Sequence, residues 1–211
     1  MGSTKRPTSC AASILRRIRA WGAGTVFVPR DFLDLGARGA VDVALHRLAE
    51  QGTIRRLGRG LYDLPEVHPR LGALSPALDA VAHALARSHA CTITPSEAAC
   101  AQSLGVSTQV PAQAVYLTDG PSRTVTVDAR TVRFSHASPG RRLGGDTKAG
   151  AVLRALRFLG RDDVTDSIVR RLQGVLDDAD RRALQRLRID VPAWMRPIVE
   201  RIVARDSTRA A

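Results

Sequence analysis

Between Arg38 and Pro65 the hydrophobic period changes in a way that few folds accommodate. Val41, Ala44, Leu45 and Leu48 recur at steps of three and four, which puts one apolar stripe on a helix running to about Gln51. Gly52 ends it. Thr53-Ile54-Arg55-Arg56-Leu57 then reads as a strand, Gly58-Arg59-Gly60 as a tight turn, and Leu61-Tyr62-Asp63-Leu64-Pro65 as a return strand. The pair predicts a β-hairpin.

The preceding residues supply the rest of a unit. Ile14, Leu15, Ile18 and Trp21 predict a helix capped at Ser9 and stopped by Gly22 and Gly24. Thr25 to Val28 predicts a short strand ended by Pro29, and Phe32, Leu33 and Leu35 a short second helix ending at Gly36. Helix, strand, helix, helix, hairpin is the order of a winged helix-turn-helix, in which the third helix enters the major groove and the wing touches the adjacent backbone. The exposed face of the third helix offers Arg38, Asp42, His46 and Arg47, the wing offers Arg55, Arg56 and Arg59, and the first helix adds Arg16 and Arg17. Asp42 can accept from a cytosine amino group or pair with Arg38.

Charge supports a polyanionic partner. The chain has 32 Lys+Arg against 20 Asp+Glu, a net +12, and every cation but Lys5 and Lys148 is Arg. Arginine forks onto phosphate and guanine in a way lysine does not. An Arg-rich chain also follows from genome base composition, but here the excess is uneven. Residues 1–65 carry 11 cations and 5 anions, 66–140 carry 5 and 5, and 141–211 carry 16 and 10. The second excess, with Arg141, Arg142, Arg170, Arg171, Arg181, Arg182 and Arg186, is expected to extend the DNA footprint or to meet RNA.

Aromatics are 4% of the chain, so aliphatic residues are expected to build the core. No stretch reaches the ~18–20 apolar residues of a membrane span, and Arg16, Arg17 and Arg19 interrupt the first apolar run. A cytoplasmic protein with no membrane partner is expected. Cys10, Cys91 and Cys100 lack CxxC spacing and read as reduced, buried thiols.

Further along, residues 66–76 with Pro69 and Pro76 read as a linker. A helix is expected at about 77–87, a strand at 92–94, and a helix from Pro95 to Leu104. Strands are expected at 114–118, 124–127 and 131–136, the last two forming a hairpin around Asp128-Ala129-Arg130. From Asp146 the pattern is helical, with faces at Val152, Leu153, Leu156 and Leu159, at Val164, Ile168, Leu172 and Val175, at Leu184 and Leu187, and at Ile198, Val199 and Ile202, where Pro197 predicts a kink. The expected fold class is α+β: a winged helix-turn-helix (9–65), a linker (66–76), a small α/β domain (77–145) and a C-terminal helical segment packed on it (146–205). A disordered basic tail (1–8) and a flexible tail (206–211) flank them.

The stretch Val28-Pro29-Arg30-Asp31-Phe32-Leu33-Asp34-Leu35-Gly36 resembles the P-x-D-F-x-D-L-G opening of the AbiEi-type antitoxins. Val41 through Tyr62 resembles their V-x-x-A-L-x-R-L-x-x-x-G-x-I-x-R-x-x-R-G-x-Y pattern. Leu104 to Pro111 and Tyr116 to Arg123 resemble a related family of uncharacterised members. The resemblance implies an antitoxin of a type IV toxin–antitoxin pair, linked to phage defence, whose winged helix represses its own operon at promoter repeats. It implies a nucleotidyltransferase-like toxin as functional partner, without need of a stable complex. By position, DNA contact falls on Arg38, Asp42, His46 and Arg47 and on Arg55, Arg56 and Arg59. The second domain is shorter and more Arg-rich than in the best-known members.

No catalytic site, cofactor or metal is expected. Asp162, Asp163 and Asp166, like Asp177, Asp178 and Asp180, precede predicted helices, where carboxylates cap and meet the helix dipole. Gly144-Gly145-Asp146-Thr147-Lys148 lacks the GxxxxGK[ST] spacing of a phosphate loop. Ser135 and His136 are strand neighbours and point to opposite faces. His83, His89 and Cys91 amount at most to a partial metal site.

Overall fold

A computed structural model of the chain describes residues 9–109 and 113–204. The expected tails at 1–8 and 206–211, together with Val110 and Pro111, lie outside the described residues. The protein is mixed α and β, and its contacts gather into two units: residues 1–92 with 125–132, and residues 93–124 with 133–211.

In the first unit, α1 (Cys10–Trp21) is capped by Ser9, whose hydroxyl accepts the Ala12 N–H, and it ends at Gly22 in the left-handed region at φ 91°. β1 (Val26–Phe27) is followed by a 3₁₀ turn (Pro29–Phe32), α2 (Arg38–Glu50), β2 (Arg55–Gly58) and β3 (Leu61–Asp63). The strands form an antiparallel sheet in the order β1-β3-β2. This is the winged helix-turn-helix order. Ile14, Ile18, Phe27, Phe32, Val41, Leu45 and Ile54 form its core. The core is less aliphatic than expected. Phe27 meets Trp21, Phe32 and Tyr62 with ring centroids 5.6–6.4 Å apart, so the few aromatics are concentrated here.

Two expectations need correction in this unit. The second helix is a 3₁₀ turn that starts earlier, because Pro29 sets φ at its first position and the Asp31 carboxylate accepts the Val28 N–H at 3.0 Å. The expected linker holds a second hairpin, β4 (Val67–His68) paired with β5 (Gly72–Ala73). Pro69 sits in its turn, where a proline does not interrupt pairing. α3 (Leu78–Ser88) packs on β1 and the 3₁₀ turn. The boundary therefore falls after Thr92 rather than at residues 66–76.

The second unit contains β6 (Ile93–Pro95), α4 (Glu97–Ser103), β7 (Ala114–Thr118), the start of β8 (Arg123–Val127) and the end of β9 (Arg130–His136). The sheet order is β6-β7-β9-β8. Asp128 and Ala129 turn the β8–β9 hairpin with positive φ, and Val125–Val132 count with the first unit. Pro95 ends β6 instead of opening α4, which Ser96 caps. Cys100 and Ala101 of α4, with Leu104 just past its end, share one core with α5 (Lys148–Leu159), α6 (Asp166–Val175), α7 (Asp178–Leu187) and α8 (Arg196–Val203). Pro197 lies in the first turn of α8 and starts the helix rather than kinking it.

Candidate nucleic-acid interface

The expected contact residues separate once their surroundings are read. On α1, Arg17 is turned to its own unit. Its Nη1 and Nη2 donate to both carboxylate oxygens of Asp34 at 2.7 and 2.6 Å, and Nη1 also donates to the Asp31 carbonyl at 3.1 Å. That fork holds Asp34 below the usual carboxylate range and raises Arg17. Arg16 is exposed and has no partner among the described residues.

Along α2, Arg38 Nε donates to both oxygens of Asp42, at 3.1 and 3.0 Å, so Asp42 takes the Arg38-pairing alternative. His46 faces Glu50 one turn on, at 3.2 Å. Both pairs are solvent-exposed, where an ion pair is worth roughly 0.2–1 kcal/mol. An incoming phosphate can therefore compete for Arg38. Arg47 is exposed with no partner among the described residues. The helix itself is held by Val41, Ala44, Leu45 and Leu48, and Ala37 gives it no side-chain cap.

The wing divides in the same way. Arg55 is a structural residue, not a free contact. Its Nε and Nη2 donate to Asp63 at 3.0 and 2.5 Å, and Nη2 also donates to the Leu74 carbonyl at 2.8 Å. Asp63 is buried, its side chain only 1% exposed, and its carboxylate raises the Arg55 pKa. Arg56 is exposed, and its Nε reaches the Gly58 carbonyl at 3.3 Å. Arg59 stands at the tip beside Gly60, which holds φ at 67°, and it has no partner among the described residues.

The motif that runs through this unit is thus mostly architecture. Asp31 accepts from Val28 and pairs with Arg87, whose Nη2 also donates to the Val26 carbonyl. Asp34 holds Arg17, while Leu45, Leu48, Ile54 and Tyr62 are core. Arg47, Arg56 and Arg59 are the arginines of the pattern left facing solvent.

The C-terminal cations are largely tied within their own unit. Arg141 forks onto Glu97 at 2.9 and 2.7 Å. Arg142 donates to the Ala137 carbonyl and lies 3.7 Å from Asp119. Arg171 reaches the Leu104 carbonyl, and Arg181 donates to the Ile202 and Gln173 carbonyls near the ends of α8 and α6. Arg188 pairs with Glu200, and Arg201 with Asp166. Arg170, Arg182 and Arg186 remain exposed or part-exposed without partners among the described residues.

Of the enzyme-like motifs, the first carboxylate group does not cap its helix as expected: Thr165 caps α6, while Asp166 opens that helix and pairs with Arg201. Asp177 caps α7 in a reciprocal box with Asp180, and Asp180 also pairs with Lys148 at 2.9 Å. Gly144 and Gly150 pack so closely that a Cβ on Gly144 would lie 2.6 Å from the Gly150 Cα. The Gly144–Lys148 segment is therefore a close-packed turn into α5, capped by Thr147. His136 Nδ1 lies 3.0 Å from the Gly120 carbonyl. Cys100 is buried, Cys10 and Cys91 are partly so, and none of the three is in a disulfide. Among the described residues, no group of three or more His, Cys, Asp or Glu is placed to hold a metal, and no helix is long and apolar enough to cross a membrane.

The sequence reading missed Arg154. It lies on α5, 1% exposed, with Nε 3.3 Å from the Cys100 Sγ and with neither Nη hydrogen-bonded. Burial is the main cause that pushes the Cys100 thiol up, and Arg154 opposes it. Its polar position between Leu153 and Ala155 gave no hint, because α5 is buried on several sides, from Ala149 to Leu156.

These features define an α+β protein with a winged helix-turn-helix and an arginine-bearing helix and wing. The chain belongs to a family of unknown function, DUF6088, whose model matches residues 13–184. No curated protein and no solved structure matches it.

Proposed function

We propose that the chain is a DNA-binding antitoxin of a type IV-like toxin–antitoxin pair that represses its own operon through the winged helix. The observation that carries this reading is the pair Arg47 and Arg59. One sits on the third helical element and the other at the wing tip, and both are exposed without a protein partner among the described residues. The uncapped start of α2 adds free N–H groups and the positive end of a helix dipole, both suited to phosphate. In this reading Arg38, freed from Asp42, reaches a base edge, and Arg59 meets phosphate or the minor groove. The protein acts in the cytoplasm on promoter DNA and carries out no chemistry of its own. Its functional partner is a nucleotidyltransferase-like toxin, with no stable complex required. Exposed Arg182 and Arg186, one turn apart on α7, are the surface for any RNA contact.

The test is binding to the DNA upstream of the chain's own gene as salt is varied. Each phosphate contact contributes about −0.9 to the slope of log K against log salt. Arg59→Ala is expected to weaken binding on every duplex. Arg38→Ala is expected also to relax sequence preference, by ~1–3 kcal/mol. No binding at low salt would overturn the repressor reading. The antitoxin part is tested by co-expression with the product of the adjacent gene, whose toxicity should be relieved. The rival reading is a protein-binding module, favoured by Val43, which lies 49% exposed on α2 between Asp42 and His46.

A further inference from the structure

The hairpin β4–β5 is an exposed projection, with Arg70 and Leu71 in its turn, that the DNA reading has not yet used. Every residue from Glu66 to Ala73 is exposed, including Val67 at 69% and Leu71 at 74%. Burying neither side chain costs the fold hydrophobic stabilisation, so nothing in the folding of this unit accounts for them. The turn is nonetheless ordered by its own contacts. His68 Nδ1 accepts the Arg70 N–H at 3.2 Å, Gly72 supplies φ of 71°, and the Leu74 N–H closes the base on the Glu66 carbonyl at 2.8 Å. Arg55 fixes that base to the wing, because one guanidinium bonds both Asp63, its cross-strand partner, and the Leu74 carbonyl. The Arg70 guanidinium has no partner among the described residues, and Arg70 and Glu66 are the one cation and the one anion between residues 66 and 74.

We infer that β4–β5 is a second DNA-contacting wing, with Arg70 entering the minor groove and Leu71 set against the sugar edges beside it. An arginine next to a protruding apolar side chain is the chemistry that reads groove width and wedges against base steps. Charge favours this occupant through what the hairpin is tied to: its own Arg70 and Glu66 cancel, but it follows a segment, residues 1–65, that holds 11 cations against 5 anions, and Arg70 stands at the tip while Glu66 lies at the base. The inference rests on the DNA-binding reading and extends its footprint.

The experiment compares the full chain with Arg70→Ala, Arg70→Lys and Leu71→Ser on the upstream duplex at several salt concentrations, with Arg59→Ala as reference. Arg70→Ala is expected to weaken binding several-fold and to reduce the salt slope by about one, whereas Arg70→Lys keeps the slope. Leu71→Ser is expected to weaken binding at unchanged slope and to reduce any bend seen by end-to-end energy transfer. If Arg59→Ala weakens binding while the Arg70 and Leu71 variants bind like wild type, the hairpin is no wing and the DNA reading stands. If wild type binds no DNA at low salt, both fall. Sedimentation is the third arm: a wild-type dimer that Leu71→Ser converts to monomer assigns the tip to self-association and overturns the inference.

Discussion

The two cation-rich stretches of this chain carry the same excess but place their arginines differently. Residues 1–65 hold 11 cations against 5 anions and residues 141–211 hold 16 against 10, an excess of six in each. In the C-terminal stretch the guanidinium groups mostly reach back to protein. Arg181 satisfies carbonyls at two helix ends, Arg157 and Arg196 bond the Gly140 and Ile189 carbonyls, and Arg141, Arg188 and Arg201 hold carboxylates. Short helices leave many unpaired carbonyls, and a long forked donor supplies them. In the N-terminal stretch Arg17 and Arg55 do the same work, while Arg16, Arg47 and Arg59 are left to solvent. Net charge is thus a poor guide to a binding face. What matters is which guanidinium groups the fold leaves unused.

The sharpest way to break this division is to remove one arginine of each kind from the wing. Arg55→Ala leaves the buried Asp63 carboxylate without its fork, and unpairing a buried charge costs about 3–5 kcal/mol. Arg59→Ala leaves nothing unsatisfied and should change stability by less than about 0.5 kcal/mol. Urea unfolding of both variants measures the contrast. An Arg55 variant as stable as wild type would erase the distinction between structural and free arginines.

A smaller effect, of opposite sign, is expected in the second unit. Arg154 is buried and neither Nη is hydrogen-bonded, so its desolvation is poorly offset. Arg154→Met keeps most of the volume and removes the charge. It is expected to raise the unfolding free energy by about 1–2 kcal/mol, as replacement of buried ionic groups by apolar ones often does. Thermal unfolding reads this directly. A lower Tm would mean that the guanidinium makes interactions that hold α4 to α5.

How far these placements could be read in advance follows from what periodicity reports. Steps of three and four found α2 and its core face, and the glycines found the wing, because both signals are local. The Asp177 cap was legible for the same reason: a carboxylate ahead of a helical run has one common use. Arg55 was not legible. Alternation in a strand shows which face a residue takes, but Asp63 and Leu74, eight and nineteen residues away, decide what it touches. The second hairpin was lost because its strands are two residues each, too short for alternation to register, and Pro69 read as a breaker. The unit boundary was lost because α3 packs backward onto β1 and the 3₁₀ turn, a long-range choice that spacing does not encode.

The smallest effect tests whether Arg17 belongs with the structural arginines. The fork from Arg17 holds Asp34 below the usual carboxylate range. A carboxyl with a lowered folded-state pKa stabilises the fold fully above its unfolded value of about 3.8, and that contribution fades as pH falls through the folded value. The stability gap between wild type and Asp34→Asn should therefore be present at neutral pH, shrink below the ordinary carboxylate range, and narrow with added salt, since the pair lies at the surface. Denaturation midpoints at pH 7 and pH 3 check it. A gap that persists in acid would place the role of Asp34 in packing rather than in charge. The matching DNA measurement is Arg17→Ala against Arg16→Ala: the first should leave the salt slope of binding unchanged, because its guanidinium is already engaged, and the second should lower it.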